Sequence, residues 1–91
     1  MNEEALSLVK ARLGISSTVR DVYLTSIIDS VTQEMTDIHG IALDNSSGIH
    51  LMFVVDYAEY RYSNRENKTM PRHLQFRLHN LVIKSGGVPI V

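Results

Sequence analysis

From Ile49 to Ala58 only His50 and Asp56 interrupt a run of apolar residues, and no glycine or proline breaks it. Leu51, Met52, Ala58 and Glu59 favour helix there, despite the Val54-Val55 pair that would also suit a strand. A helix that is apolar nearly all round has to be covered on most sides. It is therefore expected either at the centre of a bundle or against a second subunit. The same helix runs on into Tyr60-Arg61-Tyr62-Ser63-Asn64-Arg65. Tyrosine and arginine give large contact areas with few rotors to freeze, and both are enriched where proteins grip one another. This tip offers contact chemistry and no converging nucleophiles, acids or metal ligands.

The rest of the chain reads as three further helices in one small all-α domain. Asn2 is a good N-cap, with Glu3 and Glu4 set against the positive end of a helix dipole. Ala5, Leu6, Leu8, Val9 and Leu13 recur at helical spacing, and Gly14 closes a helix over about 2–13. Ser16, Ser17 and Thr18 offer the next cap, with Asp21 in the first turn. Leu24, Ile27, Ile28, Val31, Met35 and Ile38 then form the cleanest apolar stripe in the chain, predicting a long helix over 18–39 that Gly40 stops. Asp44 to Ser47 supply turn and cap chemistry for the third helix, over 47–64. Pro71 suits the first position of a fourth helix over 71–84, with Leu74, Leu78, Leu81 and Val82 as its stripe and Arg72, Gln75, Arg77 and Asn80 on its wet side. Gly86-Gly87 acts as cap and hinge before the tail Val88-Pro89-Ile90-Val91, which cannot continue a helix.

Candidate chemistry is sparse. His39 and His50 lie in different elements, and His73 and His79 fall on different faces of one helix, so no pair has metal-ligand spacing. Asp29, Glu34 and Asp37 lie on the polar face of the second helix. Asp56 stands out because it interrupts the apolar run. It either marks that helix's exposed stripe or needs an arginine or lysine from another helix. No second acid or nucleophile is spaced to work with it. There is no phosphate-binding glycine loop. The absence of cysteine excludes disulfides and thiolate metal sites, so neither cofactor nor metal is expected. The longest strongly apolar stretch, Leu51 to Val55, is too short to cross a bilayer, and no basic leader precedes Glu3 and Glu4.

A net charge of -1 gives no global basic field. The charges are nonetheless segregated. Arg61, Arg65, Lys68, Arg72, Arg77 and Lys84 lie in the second half, and most acids lie in the first. Copies set head-to-tail would bring the two signs together. A local basic patch for DNA is the alternative, as in a small helix-turn-helix regulator or a terminase small subunit. It lacks a recognisable reading helix. An enzyme or metal protein would need a pocket of converging polar groups that the sequence does not supply.

The stretch Val9-Lys10-Ala11-Arg12-Leu13-Gly14-Ile15, followed by Ser16 to Thr18, Asp21 and Leu24, is similar to the first helix, the LGI turn and the start of the long second helix of the gp6-like head-tail connectors of tailed bacteriophages. Tyr60-Arg61-Tyr62-Ser63-Asn64-Arg65 resembles that family's RYN-R segment, and Met70-Pro71 matches the start of its last helix. The resemblance covers most of the chain. It implies a helical, non-enzymatic virion protein of a phage or prophage, assembled in the host cytoplasm and placed at the head-tail joint. Copies would form a ring beneath the portal, twelvefold in the virion. The ring would extend the DNA channel without reading sequence and would offer a surface to the next connector or the tail. On that reading Tyr60, Arg61, Tyr62, Asn64 and Arg65 make subunit or structural contacts, and Val88, Pro89, Ile90 and Val91 dock on the portal.

Overall fold

The computed structural model describes residues 1–64 and 69–84. Four helices follow one another: α1 (Asn2–Leu13), α2 (Asp21–Asp37), α3 (Gly48–Ser63) and α4 (Arg72–Lys84). There is no strand among the described residues. The all-α class expected from the periodicity is the observed one. The expected tail over 85–91 lies outside the described residues.

Helix α3 is the hub. It packs against α1, α2 and α4, whereas α4 packs against no helix but α3. Phe53, Val54, Val55, Tyr57, Ala58 and Tyr62 of α3 are buried. They meet Ala5 and Val9 of α1, Leu24, Ile28, Val31 and Met35 of α2, and Leu74, Leu78, Leu81 and Val82 of α4 in one core. The α4 stripe read from the sequence is buried throughout; of the expected α2 stripe Ile27 is half-buried and Ile38 exposed, and of the expected α1 stripe only Ala5 and Val9 are buried. The apolar run is not covered throughout, however. Ile49 is 61% exposed and Met52 39%, because at helical spacing they fall on the same side of α3 as Asp56, away from its buried residues.

The ends of the helices follow local chemistry. Gly14 takes a left-handed conformation (φ 71°), its N–H donates to the Ala11 carbonyl, and the Ile15 N–H donates to that of Lys10. This is a Schellman closure, which satisfies two carbonyls that would otherwise lack partners. Helix α2 is shorter at both ends than the expected 18–39. Its cap is Arg20, with no side-chain hydrogen bond, and Ser16, Ser17 and Thr18 remain outside. The Asp21 N–H donates to the Thr18 carbonyl at 3.1 Å, forming a turn before the helix. Lys10 holds Asp21 at 2.7 Å, so the helix starts where α1 anchors it. At the other end the N–H groups of Ile38 and His39 both reach the Glu34 carbonyl, and Gly40 turns left-handed (φ 68°). Ser47 caps α3 by accepting from the His50 N–H at 3.2 Å. The His50 Nδ1 in turn accepts from the Asp44 N–H at 3.0 Å, giving that histidine a local role. Asp44 accepts from both the hydroxyl and the N–H of Ser46, which hold its carboxyl below the ordinary value.

Pro71 sits one position earlier than expected. Its carbonyl accepts from the N–H groups of Leu74 and Gln75, so it caps α4 rather than opening it. A proline serves there because the position needs an acceptor and no donor.

The two ends of the apolar run should respond differently to truncation. Phe53→Ala removes a fully buried ring from the hub and should cost about 3–5 kcal/mol. Ile49→Ala, on the exposed end of the same run, should change stability by less than about 0.5 kcal/mol. Urea unfolding of both variants followed by circular dichroism checks the contrast.

Candidate functional site

The tyrosine and arginine tip of α3 is partly built into the fold. The Tyr60 hydroxyl donates to the Thr69 carbonyl at 3.0 Å, tying the end of α3 to the segment before α4. Asn64 donates its side-chain amide to the Tyr60 carbonyl at 3.0 Å, and its backbone N–H to the same oxygen at 2.9 Å. Tyr62 is buried, its ring tilted against that of Tyr23 with centroids 5.9 Å apart, and its hydroxyl accepts from Arg20. The Arg61 guanidinium lies 5.3 Å from the centroid of the Tyr57 ring. Its Nη1 is buried and has no hydrogen-bond partner among the described residues. Arg65 and Val88, Pro89, Ile90 and Val91 lie outside the described residues. Of the expected contact residues, Asn64 is exposed, Tyr60 and Arg61 are half-buried, and Tyr62 is part of the core.

Tyr57 illustrates how closely this region is packed. Its pKa is pushed up to about 12, first by burial and then by the neighbouring Glu34 carboxylate, with Arg61 opposing. Glu34 also approaches His39 at 3.6 Å.

The most organised polar cluster surrounds Asp56. One carboxylate oxygen accepts from Arg12 of α1, and the other accepts from Arg77 of α4 at 2.6 Å. Arg12 also holds Glu59, one turn along α3, at 2.9 Å. Arg77 lies 5.5 Å over the Phe53 ring, so its stem packs on the core while its head meets the carboxylate. These side chains line an open groove of about 370 Å³ together with Tyr60, Asn64 and His73. Of the two roles the sequence left open for Asp56, the structure shows the paired one. It also corrects the placing of Arg77 on the wet side of α4. The clue was present: Arg77 follows Leu74 by one turn, on the shoulder of the buried stripe. Arg12 carried no comparable signal, since nothing in its spacing pointed across to α3.

The cluster is electrically balanced, with two arginines facing two carboxylates. Burial raises the Asp56 pKa, but the hydrogen bonds from Arg77 and Arg12, with their charges, outweigh it and hold the carboxyl below its ordinary value. Hydrogen bonding to Asp56 raises the Arg12 pKa correspondingly. No acid is left as a free base beside a nucleophile, and no group of three potential metal ligands occurs among the described residues. What the arrangement does is join helices.

The described residues form a small helical module whose polar groups brace its own helices and whose surface exposes apolar side chains. The chain belongs to the phage gp6-like head-tail connector family, whose model matches residues 3–80. No curated protein and no solved structure matches it. Family membership makes it a structural phage component that works with other head and tail proteins in the virion. Among the described residues no helix is long and apolar enough to cross a membrane.

Asp56→Asn should cost about 1–3 kcal/mol at neutral pH by weakening two charge-assisted hydrogen bonds. The sign of the pH dependence follows from the depressed folded pKa. The stabilisation is complete above the unfolded value of 3.8 and is lost as pH falls through the lower folded value. The wild-type protein should therefore lose stability on acidification below about pH 4 more steeply than the variant, whose side chain does not titrate. Thermal unfolding across that pH range is the measurement.

Proposed function

We propose that copies of this chain join in a ring beneath the portal, twelvefold in the virion. The ring would extend the DNA channel without sequence readout and would present a surface to the next connector or the tail. The observation that carries the proposal is the family match, which spans all but the end of the described fold. Three features of the molecule support it. First, the apolar run of α3 emerges uncovered at Ile49 and Met52, where a neighbour would complete the burial. Second, the tip of α3 keeps surface for a neighbour, with Asn64 exposed and Tyr60 and Arg61 only half-buried. Third, α2 (Asp21–Asp37) contains no lysine or arginine and α4 (Arg72–Lys84) contains no aspartate or glutamate, so the charges are segregated by helix. In this reading Tyr60, Arg61, Tyr62, Asn64 and Arg65 make subunit or structural contacts, and Val88, Pro89, Ile90 and Val91 dock on the portal. Assembly takes place in the host cytoplasm, before the joint is completed.

Electron microscopy of the purified chain, alone and mixed with its portal, should show rings with an open centre. A chain that stays monomeric even with the portal, and binds duplex DNA with an affinity falling steeply with salt, would instead indicate a DNA-binding module. Arg61→Ala should reduce ring yield far more than it lowers the unfolding midpoint. Equal loss of both would assign Arg61 to the stability of the monomer alone.

A further inference from the structure

The outer side of α4 is an unusual surface for a soluble helix. Its buried stripe is Leu74, Leu78, Leu81 and Val82. At 3.6 residues per turn, Phe76 and Ile83 fall on the side opposite that stripe. They are 67% and 51% exposed. Arg72 lies one turn before Phe76 on the same side, and it too is exposed. The helix therefore shows solvent an aromatic ring and a branched aliphatic chain beside a cation, with no acid along its length.

A surface of matching character exists on α2. A shallow groove of about 330 Å³ is lined by Ser30, Gln33, Glu34, Asp37 and Ile38. Asp37 is exposed, and Ile38 at the rim is 61% exposed. This groove offers acid beside apolar surface where the outer side of α4 offers base beside apolar surface. The two lie on helices that do not pack against each other within the chain.

We propose that the Arg72, Phe76 and Ile83 side of α4 docks into the Glu34, Asp37 and Ile38 groove on α2 of a second copy of this chain. The proposal rests on the ring reading above and identifies which surfaces meet in the ring. Phe76 and Ile83 cover the apolar rim, and Arg72 faces the carboxylates. Because the two surfaces differ, the contact is heterologous: the copy that donates α4 keeps a free α2 groove, and the copy that receives it keeps a free α4, each open to a further neighbour. Such contacts propagate into a ring when the rotation between copies closes.

The chain contains no cysteine, so introduced thiols report on this contact alone. Two single variants, Phe76→Cys and Ile38→Cys, are mixed under conditions where electron microscopy shows assembly, with the portal if assembly requires it, and treated with a short bis-maleimide. A cross-linked dimer is expected from the mixture, with little from either variant alone. Asp37→Arg on the Ile38→Cys copy should abolish most of that product, and Arg72→Glu on the Phe76→Cys copy should restore it. Rings that form without the 38–76 cross-link would overturn this pairing and leave the ring intact. So would a yield indifferent to charge reversal at position 37. Failure to form any oligomer, with the portal present, would overturn the ring reading and this pairing together.

Discussion

One carboxylate, that of Asp56, joins two helices which do not pack on each other. Helices α1 and α4 both pack on α3, and between them lies Asp56, bound to Arg12 on one side and Arg77 on the other. Hydrophobic contact alone would let α4 slide or swivel on its single neighbour, because dispersion and apolar burial are not directional. A carboxylate with one oxygen committed to each arginine is directional. It fixes where α4 sits, at the cost of partly burying charge. That cost is offset because each group is paired, the carboxylate titrates lower than usual, and the stem of Arg77 packs on Phe53. A small chain with a limited core benefits from such a device more than a large one.

How far the sequence foretold this depends on the kind of interaction. Periodic burial was largely legible: the α4 stripe is the one read from spacing, as is the α2 stripe from Leu24 to Met35, although Ile38 at its end is 61% exposed. Glycine closures at Gly14 and Gly40 and the Ser47 cap were legible too, because each is set by residues within a turn or two. What the sequence could not show was pairing across the fold. Asp56 announced that it needed a partner, but Arg12 lies 44 positions away in the chain and has no periodic mark. The start of α2 was misplaced for a similar reason. Three good capping residues precede it, yet the ion pair from Lys10 to Asp21 sets the first turn. The tip was read for its contact chemistry, whereas Tyr60 and Tyr62 also serve the fold through Thr69 and Arg20. A phenol that can grip a partner can equally grip its own chain, and residue type alone does not distinguish the two.

This division suits a connector. Parts that act by geometry need a rigid body and a surface able to meet several neighbours. Here the polar groups with fixed partners lie at the edge of the core, where they brace helices. The groups left outside include apolar residues around the start of α2, on the uncovered side of α3 and along the outer side of α4, together with charges segregated by helix. Neither set would be retained for the stability of the monomer, since exposed Phe76 and Ile83 contribute little burial and favour nonspecific association.

Segregated charge also bears on which assemblies form. Two α4 surfaces facing each other would oppose like charges, and so would two α2 grooves, which disfavours symmetric dimers. The arrangement that brings opposite charges together is the one in which copies follow one another in the same sense. In the proposed ring the closure angle would be set by the orientation of α4 relative to α2 within each copy, an orientation that passes through α3. The carboxylate that steadies α4 in the monomer would then also carry monomer geometry into the assembly. Weakening it would loosen the angle between successive copies as well as the fold itself.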